Sequence, residues 1–469
     1  MAEQDFTLGP QTKAVIASVI CPNLPGHTTS AQAQHSLKEL TALLQTLGVE
    51  VVGQICQTRS KIDAGTIVGI GKLEECAAMA NKEQANIVVF DLDLTAGQVR
   101  QIKHRTNLAV IDRCFVILEI FAQHAQTKGA KLQIEIARLE YLLPRLAGMW
   151  DHFTRQRGYR GMRSGEGEQQ LEIDRRLIKE KIRVYKRQLK ALEISRQEQR
   201  KKRQQDAITV ALIGHTNTGK SSLLNRLCAE QVLEEDKLFA TLDPTYRLLT
   251  PDTKPPLILV DTVGLIANLP SHLIHGFKST LESARDADLL VLVCDVSDEY
   301  CQEQIEVSLK MIKDLGLEDK NLLLLLNKKD RLTSPLTAKM IKRQYPYKSL
   351  VISTFDQKDM ALVRQTIIDY YLAQQEHYDL FIPYHEGLPH QMIKQYANIV
   401  GRQEHETGIF YRIRTPQNMF NKMKLAPFVL GPQDPRRQQW KLPLPLTDES
   451  NKWPQTSSRR PRKMSPTLK

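Results

Sequence analysis

The chain has 469 residues, 41% of them hydrophobic and 25% charged, with a formal net charge of +12. That length exceeds one hydrophobic core and predicts about three domains, and the ordinary composition excludes a wholly disordered chain. The basic excess points either to nucleic acid or an anionic surface as partner, or to a solvated basic face. Seven cysteines (21, 56, 76, 114, 228, 294, 301), scattered and without a C-x-x-C pair, exclude a disulfide framework and a zinc site. The N-terminal MAEQDFTLGPQTK has no signal- or transit-peptide pattern. The longest apolar runs, 321–327 and 289–294, are strand-length, so a cytoplasmic protein is expected.

The first 115 residues alternate strand and helix signals. KAVIASVIC (13–21) reads as a buried strand, HSLKELTALLQTLG (35–48) as a helix, and VEVVGQIC, NIVVFD (86–91) and LAVIDR (108–113) as further strands. Buried strands alternating with helices predict a parallel α/β sheet. From about Lys131 the period becomes helical, with Leu132, Ile136, Leu139, Leu142 and Leu146 on one face. A glycine-rich break (157–170) precedes a second stripe of Leu171, Ile178, Ile182, Tyr185, Leu189 and Leu192, so an antiparallel helical hairpin is expected. Residues 155–203 hold 17 Lys and Arg against 7 Asp and Glu, the most basic stretch of the chain. At Ile208 the α/β alternation returns, with strands at 208–214, 257–260, 289–294 and 322–326. After about Gln375 the pattern is strand–helix–strand: DLFIPYHEG, LPHQMIKQYANIV, GIFYRIR. The last 35 or so residues predict a disordered basic tail. The expected fold is thus a multidomain α/β protein. It has an N-terminal parallel α/β domain (1–129), a helical hairpin with a basic loop (130–205), a nucleotide-binding α/β domain (206–375), a small C-terminal α+β domain (376–430) and a tail (431–469).

Three motifs carry the chemistry. Gly214-His215-Thr216-Asn217-Thr218-Gly219-Lys220-Ser221, followed by Ser222, is a G-x-x-x-x-G-K-S loop between a buried strand and a helix. Its glycines let backbone N–H groups turn around phosphates and the helix N-terminus adds positive potential. Lys220 is expected on the β- and γ-phosphates and the Ser221 hydroxyl on Mg²⁺. Asp261-Thr262-Val263-Gly264 ends the next apolar strand, where an Asp can hold the Mg²⁺ shell and the Gly264 N–H can sense the γ-phosphate. Asn327-Lys328-Lys329-Asp330 ends a third. The Asp330 carboxylate can accept from the guanine ring N–H and its exocyclic amine, whereas adenine offers an acceptor at the matching ring position. Alone each motif could be a simple turn. In this order, all at strand ends, they predict a P-loop GTPase domain binding GTP or GDP with Mg²⁺. LFATLDPTYR (238–247) has the place of a switch segment, and Thr241 and Thr245 both qualify by position as the metal threonine.

The motif sequences GHTNTGKSSLLN, FATLDPT and DTVGLI resemble the HflX family of translation-factor-class GTPases. So do IVGIGKLEE (67–75), 110–146 and GEGEQQLEIDRR (165–176) in the N-terminal part, so the resemblance covers roughly 13–430. It implies that Thr241, within Phe239-Ala240-Thr241-Leu242-Asp243, is the metal threonine. It also implies association with the large ribosomal subunit and its RNA, in ribosome splitting, rescue or biogenesis. RNA contact is then expected at the hairpin loop through Arg157, Arg160 and Arg163, and should be salt-sensitive. Leu265 stands where Ras-like enzymes place a water-orienting glutamine. No general base is assigned, and slow intrinsic hydrolysis accelerated by ribosomes is expected.

Ser353-Thr354-Phe355 sits at the place of the guanine-contacting loop, with Thr354 where the family has alanine. Glu166 and Ser164 replace the Pro and Arg usual in the hairpin loop. The family is credited with ATP binding in its N-terminal domain, for which Gly69-Ile-Gly71-Lys72 is the nearby candidate here. A tight turn is the preferred reading. A monomer is expected, with weak membrane association as a secondary expectation. The competing function is a signalling-type switch with a protein or membrane effector, and a factor acting only on precursor large subunits is a further alternative.

Overall fold

The computed structural model of the chain describes residues 8–24, 26–146, 164–228, 245–250, 254, 256–262, 264, 284–332, 334–431 and 433–439. Arg157, Arg160, Arg163, Phe239, Ala240, Thr241, Leu242, Asp243, Val263 and Leu265 lie outside the described residues. The backbone groups into two compact units, with the boundary in sequence at Ile194 and Ser195. Among the described residues no helix is long and apolar enough to cross a membrane.

In the first unit, four short Val/Ile-rich strands, β1 (Lys13–Ile20), β2 (Glu50–Thr58), β3 (Ile87–Phe90) and β4 (Ala109–Asp112), pair in the order β2-β1-β3-β4, all parallel. The crossovers are α1 (Ser30–Thr46), α2 (Ile70–Glu83) and α3 (Ala96–Thr106). Thr29 and Thr95 cap α1 and α3 by accepting from the N–H groups of Gln32 and Gln98, which quiets donors that have no partner within the helix. Gly69 is the N-cap of α2, and its N–H donates to Gln57 at 2.7 Å, so Gly69–Lys72 serves as a helix entry.

Asp112 ends β4 and starts α4 (Arg113–His124), a helix buried on nearly every side from Arg113 to Phe121. The periodicity that began the hairpin at about Lys131 missed it, because a helix buried on nearly every side, its Arg113 and Glu119 included, shows no exposed polar face to mark its period. Helix α5 (Lys128–Leu142) follows. The next helix among the described residues, α6, runs Ser164–Asp206, so the glycines at 165 and 167 lie inside a helix and not in the expected break. Ile178, Ile182, Tyr185, Leu189 and Leu192 form its shielded stripe, whereas Ile173, Leu177, Val184 and Ile194 are exposed. Lys186 of α6 meets Glu140 of α5 at 2.7 Å.

An ionic centre sits at the carboxyl ends of these strands. Arg113, 3% exposed, donates to Asp91 at 2.9 Å, Glu39 at 2.5 Å and Ser36 at 3.0 Å. Burial works against its charge, but Glu39 and Asp91 more than offset that and raise its pKa. Asp112 accepts from the Leu94 and Phe115 N–H groups, from the Tyr141 hydroxyl at 2.9 Å and from Arg145 at 3.2 Å.

The second unit holds a six-stranded sheet ordered β10-β9-β8-β5-β7-β6. Its strands are β5 (Ile208–Ile213), β6 (Thr245–Thr250), β7 (Leu257–Asp261), β8 (Leu289–Asp295), β9 (Asn321–Asn327) and β10 (Lys348–Val351). Only β6 is antiparallel. Helices α7 (Lys220–Leu227) and α10 (Gln357–Ala373) supply Leu223, Leu227, Val363 and Ile367 to one apolar layer. Helices α8 (Cys301–Asp314) and α9 (Pro335–Gln344) supply Ile305, Ile312 and Ile341 to the other. Strand β5 has β7 on one side and β8 on the other. The chain therefore reverses direction across the sheet at β5, which opens a crevice beyond the carboxyl ends of β5 and β8.

The C-terminal segment forms β11 (Glu376–Pro383), α11 (Gly387–Tyr396), β12 (Asn398–His405), β13 (Gly408–Thr415) and α12 (Gln417–Lys422), in sheet order β11-β13-β12. The strand–helix–strand reading had no β12, having given Ile399 and Val400 to the helix. The structured chain also runs past 430: Leu430 donates to the Asp379 carbonyl at 2.8 Å, and Arg437 reaches the Asp379 carboxylate at 3.0 Å, so the first part of the expected tail is docked.

Removing Arg113 would leave Asp91 buried without its cation. Arg113→Met is expected to lower unfolding stability by about 3–5 kcal/mol, read as a shift of the N-terminal unit's urea transition. Lys186→Met, which breaks an exposed pair, is expected to cost below about 1 kcal/mol in the same assay.

Candidate functional site

The loop after β5 lies at that crevice, and its backbone departs from ordinary φ at three places: Gly214 (φ 151°), Asn217 (φ 59°) and Gly219 (φ 91°). Space forbids a side chain at both glycines. A Cβ on Gly214 would lie 2.1 Å from the Val293 carbonyl oxygen, and one on Gly219 would lie 2.4 Å from Asn327 Nδ2. Gly219 caps α7, whose first residues are Lys220 and Ser221, so the loop ends on a helix N-terminus. Thr218 and Lys220 both donate to the His215 carbonyl, at 2.9 and 2.6 Å. Ser222 is half-buried on the first turn of α7, and Asn217 is exposed at the loop tip.

Strand β7 carries Asp261 to the same place. The Ser221 hydroxyl donates to Asp261 Oδ2 at 2.8 Å, and Thr262 Oγ1 donates to the Leu212 carbonyl at 2.6 Å. A Cβ on Gly264 would stand 2.7 Å from Thr216 Cγ2, so Gly264 lies directly against the phosphate-loop backbone. Thr245, the second candidate of the switch segment, opens β6 opposite Asp261. The converging Ser221 and Asp261 oxygens are the hard donors that Mg²⁺ takes when phosphate and water complete its shell. The pair therefore fits that ion, and among the described residues no group of three or more His, Cys, Asp or Glu competes as a metal cluster.

Asn327, fully buried at the end of β9, joins this loop to the next two. Its Nδ2 donates to the Thr218 carbonyl at 2.8 Å, and its Oδ1 accepts from the Thr354 N–H at 3.2 Å. Lys328 is in the left-handed region (φ 62°), and its ammonium pairs with Asp295 at 2.7 Å. Ser353 Oγ donates to Asp330 Oδ1 at 2.6 Å, a bond that holds the Asp330 carboxyl below its usual pKa and restrains its orientation. Phe355 is 70% exposed beside that loop. Lys329 faces Asp356 and Asp359 at the start of α10. Asp295, Asp356 and Asp359 were not read from sequence: each works through a partner at least 27 residues away in at least one contact, so no local pattern announces them.

The family model described as "GTP-binding GTPase N-terminal" matches residues 34–122, "GTP-binding GTPase Middle Region" 124–203, and "50S ribosome-binding GTPase" 209–328. The GTPase HflX of Gluconacetobacter diazotrophicus is 34% identical over 455 residues, 89% of this chain and 98% of its own length. This chain belongs to the HflX GTPase family. It is a GTP-binding and GTP-hydrolysing enzyme. The GTPase HflX of Alkalihalophilus pseudofirmus is 40% identical across 71% of this chain and 78% of its own. Among solved structures, a GTP-binding protein from Sulfolobus solfataricus in complex with GDP is 22% identical, covering 76% of this chain and 97% of that one with a TM-score of 0.40.

Burial pushes the Lys220 ammonium of this HflX-family chain down to about 8. A polyphosphate bound beside it would raise it again, so nucleotide binding there would take up a proton where free Lys220 is neutral. This contribution to affinity is complete below the free value and is lost progressively as pH rises from there to the raised value of the bound state. The Kd for fluorescent GDP is expected to rise by about tenfold between pH 7 and pH 9 at fixed Mg²⁺.

Proposed function

We propose that the chain is a Mg²⁺-dependent GTPase whose turnover is coupled to the large ribosomal subunit, in ribosome splitting or rescue or in large-subunit biogenesis. The observation that supports the ribosomal reading most directly is kinship with HflX proteins over 89% of the chain. With it goes the match of 209–328 to a family described by 50S ribosome binding. The basic stretch at 155–203 is the matching electrostatic feature.

In this reading Gly214–Gly219 wraps its N–H groups around the phosphates, and Lys220 lies between the β- and γ-oxygens. Ser221, Thr241 and Asp261 belong to the Mg²⁺ site, and the ion when bound neutralises charge on the phosphate oxygens. The Gly264 N–H faces the γ-phosphate. Asp330 accepts from the two guanine donors, the Lys328 stem lies along the base, and Asn327 and Ser353–Phe355 hold the loops around it. Leu265 supplies no water-orienting group, so hydrolysis by the chain alone is slow. Arg157, Arg160 and Arg163 make the RNA contacts. Residues 1–129 and 130–205 are the ribosome-facing domains, 206–375 the GTPase domain and 376–430 a separate C-terminal domain.

The test is GTP turnover with and without excess large ribosomal subunits at two salt concentrations. Stimulation of about tenfold or more, falling as salt rises, is the expected result. Replacing Arg157, Arg160 and Arg163 together with alanine should remove the stimulation. No stimulation at either salt would exclude the ribosome as partner and leave a GTPase with a protein or membrane effector.

A further inference from the structure

We propose that Lys329, the third residue of the Asn327–Asp330 turn, is a positioning residue for guanine selection, acting as a cationic clamp between that turn and the start of α10. This rests on the guanine-pocket assignment made above and adds to it a residue whose side chain does not reach the base.

The geometry has three links. Lys329 Nζ lies 2.5 Å from Asp359 Oδ2 and 3.1 Å from Asp356 Oδ2. The same Asp359 oxygen accepts the Ser353 N–H at 2.6 Å. The Ser353 hydroxyl in turn donates to Asp330 Oδ1 at 2.6 Å. One ammonium thus fixes the carboxylate that fixes the serine that fixes the base-reading carboxylate. Asp359 is 8% exposed, so its bonds are partly shielded from water. Asp356 is also tied down, since its other oxygen caps α10 by accepting from the Lys358 N–H at 2.9 Å.

Charge balance gives the same answer. Asp330, Asp356 and Asp359 place three carboxylates around one loop, while the neighbouring Lys328 is committed to Asp295. Lys329 is the cation paired with two of those three, and its pKa is raised chiefly by the hydrogen bond to Asp359. Without it the carboxylates repel one another, the first turn of α10 relaxes away from β9, and the Asp330 plane loses its fixed orientation. The backbone contact Lys329 N–H to Ile352 carbonyl, 3.0 Å, survives any side-chain change, so the turn itself stays in place.

The experiment compares Kd for GDP and for inosine diphosphate, which lacks the exocyclic amine, using the full-length protein. Lys329→Ala is expected to weaken GDP about tenfold and inosine diphosphate about threefold, because a wandering carboxylate loses more of a two-bond contact than of a one-bond contact. The KM for GTP should rise more than kcat falls. Lys329→Arg should restore the preference. Asp359→Asn, which keeps an acceptor for Ser353 but loses the ion pair, should reproduce the alanine variant, and the double variant should be no worse than either single one. An unchanged GDP affinity, or an equal loss for both nucleotides that arginine does not restore, overturns the clamp. Asp330→Ala separates the two readings. Unimpaired GDP preference in that variant would overturn the pocket and the clamp together, whereas its loss beside a normal Lys329→Ala overturns the clamp alone.

Discussion

Strand β9 ends on Asn327, whose buried amide donates to Thr218 and accepts from Thr354. The rest of the pocket is placed relative to that joint. A side-chain amide has a donor and an acceptor on one rigid plane, so a single residue can hold two loops at a fixed separation while satisfying the buried backbone groups of both. Gly219 must be glycine because the amide needs the space a Cβ would take. An aspartate at 327 would offer only acceptors and face the Thr218 carbonyl with a second acceptor, which is why the residue type matters more here than its polarity.

The ionic centre at the carboxyl ends of the N-terminal strands does a different job with similar parts. Arg113 of α4, Asp91 after β3, and Ser36 and Glu39 of α1 are interlocked, all buried but the half-buried Glu39. Buried ion pairs of this kind add little net stability over an apolar core of equal volume, yet breaking one leaves a stranded charge. They therefore fix how α4 sits on the sheet more than how tightly it sits. Asp112 extends the same logic to α5, since Tyr141 and Arg145 near its end both reach that one carboxylate.

Much of the framework was legible because it is local. Buried Val, Ile and Leu runs mark β1, β3, β5, β8 and β9, and the three sequence motifs each occupy contiguous residues at a strand end. What escaped was either ambiguous in period or long in range. Helix α4 is buried all round, and β12 is an edge strand, NIVGRQEH, with few buried side chains to set an alternation. Strand β6 pairs antiparallel along the edge with Tyr246 and Leu248 exposed, so it too lacks a clean pattern. Glycines at 165 and 167 suggested a break, but they lie at the start of a 43-residue helix, where propensity costs of about 1 kcal/mol each are outweighed by continuous hydrogen bonding. Asp295, Asp356 and Asp359 could not be found at all from sequence, since an aspartate near a strand end or a helix start is first of all a cap.

The two halves of the site differ in how much of their order depends on ligand. On the side proposed for the base, Asn327, Lys328, Asp330 and Ser353 are each held by protein partners, so little ordering would remain for a purine to impose and the cost of recognition would be met in folding. On the phosphate side the contacts are ones that binding must exchange. Lys220 donates to the His215 carbonyl, and Ser221 donates to Asp261. Under the Mg²⁺ reading, the hydroxyl must turn its lone pair toward the ion, and the ammonium must move from a neutral carbonyl to charged oxygens. A diphosphate satisfies part of that exchange and a triphosphate more of it. In the proposed pocket the base half would therefore set which nucleotide is held, and the phosphate half is where the difference between GTP and GDP would become a difference in conformation.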